Sequence, residues 1–93
     1  MNNQPKTADA DDHILTPEDA NALKMVLGEY GILILVAIKH GAKTRQHIPL
    51  VSGVPMACVT GRIPVIINLH LACETEELTL TERGLKFLEI SGY

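Results

Sequence analysis

The sequence has no tryptophan, one phenylalanine and two tyrosines. Aliphatic side chains must therefore build the core. The aromatic platforms on which readers of single-stranded nucleic acid stack bases are missing. Cysteine is scarce too: Cys58 and Cys73 form no CxxC, and no histidine lies at zinc spacing from them. Free thiols in a reducing cytoplasm are expected, with a disulfide across a dimer as the alternative. No phosphate-cradling glycine loop, Ser-His-Asp order or spaced carboxylate pair is present, so no enzyme, catalytic residue or cofactor is expected. His40, His47, Cys58, His70 and Cys73 could act as soft ligands, but their spacings match no metal site, and none is assigned. Residues 1–16 lack the apolar segment of a signal peptide, and the apolar run 31–38 is too short for a bilayer, so a cytoplasmic protein is expected.

One further absence is local. Between Glu29 and Glu74 there is no aspartate or glutamate, while the interval carries Lys39, Lys43, Arg45 and Arg62 with His40 and His47. The whole chain has a formal net charge of -3, so this stretch is the one basic region of an acidic protein. The bland reading is a solvated face on which charges segregate by chance. The sharper reading is a surface for an anionic partner.

What is present reads as one domain, because 93 residues support a single modest core. Residues 1–15 are polar and acidic and are expected to form a disordered tail, leaving 16–93 as the folded unit. Thr16-Pro17-Glu18-Asp19 starts a helix: a hydroxyl cap, a proline at the first position and carboxylates at the positive end. Leu23 and Leu27 share a face, and Gly28 either ends this helix or is bridged by the next. Residues 29–40 are apolar almost all round, which suits a central helix closed by Gly41; a buried strand is the alternative. Ala42-Lys43 is then a short extended link.

Residues 44–72 read as helix, turn and helix. Thr44 can cap a first helix over 45–51, shortened or kinked by Pro49. Gly53 suits a sharp turn. Val54 and Pro55 open a second helix in which Val59, Ile63 and Ile66 mark the buried face. A bend is expected near 61–64, where Pro64 removes an internal hydrogen bond, and 68–70 should end the helix. Leu71–Glu74 and Glu77–Leu80 read as a hairpin, with Leu78 and Leu80 alternating with threonines. Thr81 caps a last helix over 82–91, where Leu85, Leu88 and Phe87 face inward and Gly84 permits close approach.

The pattern Ser52-Gly53-Val54, Val59, Arg62-Ile63, Ile66 and Leu71, followed by LTLTERGLKFLE at 78–89, resembles winged helix-turn-helix regulators of the MarR, PadR and ArsR-like group, including small phage or archaeal ones. The resemblance covers about residues 23–90. It implies an α+β, mostly helical fold with a β-wing of two to three strands, in which the link before residue 44 pairs with the wing. It further implies a homodimeric transcriptional regulator binding double-stranded DNA, with no membrane association. Pro55, Met56, Ala57, Thr60 and Gly61 would face the groove, and Lys43, Thr44, Arg45, His47 and Arg62 would flank the phosphates.

Two features favour an alternative, a winged-helix module that binds a protein, as small phage or mobile-element proteins do when they block host machinery. The wing carries Glu74, Glu76 and Glu77 where regulators usually place cations, and these would repel phosphate. Val65 and Ile67 sit where such helices are usually polar. With Met56 they form an apolar patch, unless the Pro64 bend turns them into the core.

Overall fold

The computed structural model describes residues 15–93. The order is α1 (Pro17–Lys39), α2 (Ile48–Ser52), α3 (Met56–Asn68), β1 (Ala72–Glu74), β2 (Leu78–Leu80) and α4 (Glu82–Ile90). The described residues form an α+β fold, about 63% of them helical, with one two-stranded antiparallel sheet. Of the disordered tail expected over 1–15, residues 1–14 lie outside the described residues, and Leu15 is corrected: it is buried in the core.

α1 begins as its sequence dictates. The Thr16 hydroxyl accepts from the Asp19 amide at 3.1 Å, and the Asp19 carboxylate accepts from the Thr16 amide at 3.2 Å, a reciprocal capping box. The helix breaks its own geometry once, at Gly28, with φ 70° and ψ -179°. Side chains are essentially barred from that region, so glycine is what makes the kink affordable. Both readings of Gly28 therefore hold in part: the first arm ends there and the second continues it as one bent element. Ala20, Leu23 and Leu27 line the first arm's inner face; Ile34, Leu35 and Ile38 line the second's. The second arm is a helix, not a strand, and it closes at His40 and Gly41, where the Ala42 amide donates back to Ala37 O at 3.0 Å. By length and composition α1 would be apolar enough to cross a membrane. Much of its apolar surface is instead covered by the rest of the chain.

That cover comes from α2, α3, α4 and β2, all of which pack on α1. Ile48, Val54, Val59, Ile63, Ile66, Leu71, Leu78 and Leu88 are fully buried, and Phe87 is the single buried aromatic. The core is aliphatic, as the composition requires. In the sheet, Ala72, Cys73 and Glu74 pair with Leu80, Thr79 and Leu78. Leu78 points inward and Thr79 outward, the period of two. The outer side of β2 donates one bond to the link, Leu78 N–H to Lys43 O at 2.8 Å. The link thus makes one backbone bond to the hairpin without forming a third strand.

Three local expectations are corrected. The first helix of the turn motif starts at Ile48, three residues late, because Thr44 caps a turn instead: its hydroxyl and carbonyl both accept from the His47 amide at 3.1 Å. Pro49 then sits in the first turn, where a missing amide costs nothing. Pro55 is the cap of α3 and not its first residue; its carbonyl accepts from Cys58 and Val59. Leu85 is 48% exposed, because α4 turns Gly84, Phe87 and Leu88 inward and residue 85 lies a third of a turn away.

α3 runs helical through Pro64 to Asn68. The proline faces solvent, so water can satisfy the Thr60 carbonyl it leaves free. The helix ends in a Schellman turn: the Leu71 amide donates to Ile66 O at 3.1 Å and His70 to Ile67 O at 2.9 Å. His70 holds the left-handed position at φ 61°, where glycine is usual.

Candidate functional site

The turn between α2 and α3 is made by three adjacent residues. Gly53 adopts φ 78°, and its amide donates to Pro49 O at 2.8 Å. The Ser52 hydroxyl donates to Ile48 O at 2.7 Å and accepts from the Val54 amide at 3.0 Å. Val54 is buried, so it pins the turn to the core while the two helices splay outward.

α3 divides cleanly. Val59, Ile63 and Ile66 face the core, and Ala57, Thr60, Gly61, Pro64 and Asn68 face out, with Pro55 and Met56 exposed at the start. The outward side carries no charge. Its hydrogen-bonding side chains are Thr60 and Asn68, so it offers backbone-close contact more than a set of base-reading groups. Val65 and Ile67 are half-buried, and Ile67 packs on the core, so they do not join Met56 in one exposed patch. Apolar exposure lies instead at Leu50, 82% exposed, with Val51 and Met56 around the turn. A second apolar group, Met25, Val26 and Tyr30, stands on α1.

The cations of the acid-free interval are not gathered into one free surface. Arg45 meets Glu74 of β1 in a bidentate pair, Nε to Oε2 at 3.0 Å and Nη2 to Oε1 at 2.6 Å. That hydrogen bond holds the Glu74 carboxyl below its ordinary range and raises the Arg45 guanidinium. Lys43 lies 3.8 Å from Glu77, a looser contact between exposed groups. Lys39 donates to Tyr93 O at 2.7 Å. Arg62 is elsewhere: its Nη2 is 3.8 Å from where a Cβ on Gly28 would stand. It brings positive charge to the kink, beside the carbonyl end of the first arm of α1. Thr44 and His47 are exposed beside Arg45. The structure therefore joins Lys43, Thr44, Arg45 and His47 at one corner, sets Pro55, Met56, Ala57 and Thr60 on the outer side of α3, and separates Arg62 from the corner pairs.

Sequence reasoning placed acids on the wing but missed their pairing with Lys43 and Arg45. A signal was available. A link that touches β2 at Lys43 puts residues 43–45 beside the hairpin's carboxylates. Among the described residues, no three of His, Cys, Asp and Glu come together as a metal site. Cys73 Sγ lies 3.2 Å from Thr79 Oγ1 across the hairpin, and Cys58 is half-buried; both thiols are free. An open cleft of about 260 Å³ lies between the end of α1, the link and β2, floored by Ile38, Leu78, Leu80 and Leu85. Comparison with known protein families, with curated proteins and with solved structures finds no match.

Proposed function

We propose that this chain is a winged helix-turn-helix protein that binds duplex DNA as a cytoplasmic homodimer and regulates transcription. The observation that carries the reading is the outer side of α3, which follows the Gly53 turn and presents no charged side chain. Small residues at 57, 60 and 61 let a helix backbone come close to a groove, and hydroxyls and amides can donate to phosphate. Arg45 and Lys43 supply the sequence-independent attraction. Arg62 is left out of this surface because it stands over the kink of α1. Two-fold operators call for a second copy, and Met25, Val26 and Tyr30 offer it an apolar face.

The test is a titration of random duplex DNA at several salt concentrations. Affinity should fall steeply with salt. Arg45→Ala and Lys43→Ala should each reduce the log–log slope by about 0.9, the share of one phosphate contact, and Arg62→Ala should leave it unchanged. Loss of all binding at low salt would remove the reading.

A second reading, a protein-binding module, is favoured by one specific observation: Leu50, Val51 and Met56 are exposed around the same turn. A partner that binds the wild type and is lost with Met56→Asp would support it.

A further inference from the structure

We infer that Glu74, assisted by Glu77, is a built-in competitor for phosphate: the wing's own carboxylates occupy the cations with which this domain would hold DNA, and so set its affinity low. The inference rests on the DNA-binding reading and concerns how that site is regulated. Three observations carry it. The guanidinium of Arg45 presents two parallel N–H donors to the two oxygens of Glu74, at 3.0 and 2.6 Å, the same fork geometry with which arginine grips a phosphate. The competitor cannot diffuse away. Leu78 N–H to Lys43 O ties the corner to β2, and the register Glu74↔Leu78 brings the carboxylate of β1 to the same level. The contact can also be opened, because both side chains are partly exposed, at 36% and 29%, and exposed pairs are weak. Lys43 and Glu77, 3.8 Å apart and more exposed, repeat the arrangement in looser form.

A tethered carboxylate has two effects. It holds the arginine in a closed geometry, and it adds negative charge where the DNA backbone would approach. Only the first depends on Arg45, and this separates the inference from simple repulsion.

The experiment is fluorescence anisotropy with a random duplex across a salt series, on the full chain. The proteins are wild type, Glu74→Gln, Glu74→Gln/Glu77→Gln, Arg45→Ala, and Arg45→Ala combined with Glu74→Gln. Glu74→Gln should bind about fivefold tighter at low salt, because Arg45 no longer has to leave a carboxylate before it meets a phosphate. The double glutamine variant should gain again. In the Arg45→Ala background the Glu74→Gln gain should shrink to the part that charge repulsion alone supplies. A gain of equal size with and without Arg45 overturns the inference, since repulsion alone then explains it. So does wild-type binding that depends on Arg45 but is indifferent to Glu74→Gln; that result leaves the DNA reading standing. If no variant binds at low salt, the DNA reading falls and takes the inference with it.

Discussion

Replacing Gly84 with alanine sets two rules against each other. Within a helix, alanine is favoured over glycine by up to about 1 kcal/mol, so local propensity says that the variant should be more stable. The tertiary structure says the reverse. A Cβ on Gly84 would overlap the backbone oxygen of Leu71 and stand 2.9 Å from its carbonyl carbon and 3.3 Å from its Cα. Those are backbone atoms, so no side chain can rotate away. Nor can α4 easily step back. The Thr81 amide donates to Leu71 O at 3.1 Å, the Thr81 hydroxyl donates to His70 O at 2.6 Å, and that hydroxyl accepts from the Gly84 amide at 3.0 Å. Relief of the clash means stretching two or three of these bonds, each contributing about 1 kcal/mol, and loosening Phe87 and Leu88 from the core. Overpacking of this kind costs typically about 1–3 kcal/mol. Because the clash is with backbone, the upper end of that range applies; with the propensity gain subtracted, Gly84→Ala should destabilise by about 2 kcal/mol, lowering Tm by roughly 8–16 °C for a domain of this size. Thermal unfolding followed by circular dichroism measures it. The counterpart is Gly61→Ala on the outer side of α3, where nothing lies within 4 Å of the new Cβ; it should raise stability by about 0.5–1 kcal/mol. If Gly84→Ala melts at or above the wild-type temperature, the close approach of α4 to Leu71 is wrong.

Two further outcomes can be checked by unfolding measurements. His70→Gly should stabilise the domain by about 1 kcal/mol in urea unfolding, because histidine holds a left-handed position at φ 61° that glycine adopts without strain; an unchanged midpoint would deny that backbone conformation. Glu74 has a carboxyl pKa lowered by its hydrogen bond to Arg45, so its stabilisation is present above the ordinary carboxylate value and is lost as pH falls through the depressed one. Wild type and Glu74→Gln should therefore differ by no more than about 0.5–1 kcal/mol at neutral pH and converge in acid, and a difference that persists at low pH would show that the pair is not its source.

Much of the architecture was legible because it rests on short-range rules. The Thr16 cap, the Gly53 turn, the Val59–Ile63–Ile66 face, the hairpin alternation and the Thr81 cap are each written within a short stretch of sequence, and each appears where the residues place it. Even the role of Gly84 could be read, since a glycine early in an otherwise good helix needs a close neighbour. Helix starts were less legible. Thr44 and Ile48 are both acceptable beginnings, and the proline at 49 decides between them only once the turn at 44–47 is seen to close on His47.

By itself, the sequence determined the helical grammar, the aliphatic core and the acid-free middle third. Where the charges of that third end up was decided by tertiary structure alone. Arg45 meets a carboxylate 29 residues away, and Arg62 reaches the kink at Gly28, which is a partner only because α3 packs on α1. Long cationic side chains carry no local preference that selects among distant partners. Their positions follow from how the backbone elements pack, and that packing is set by buried apolar surface elsewhere in the chain.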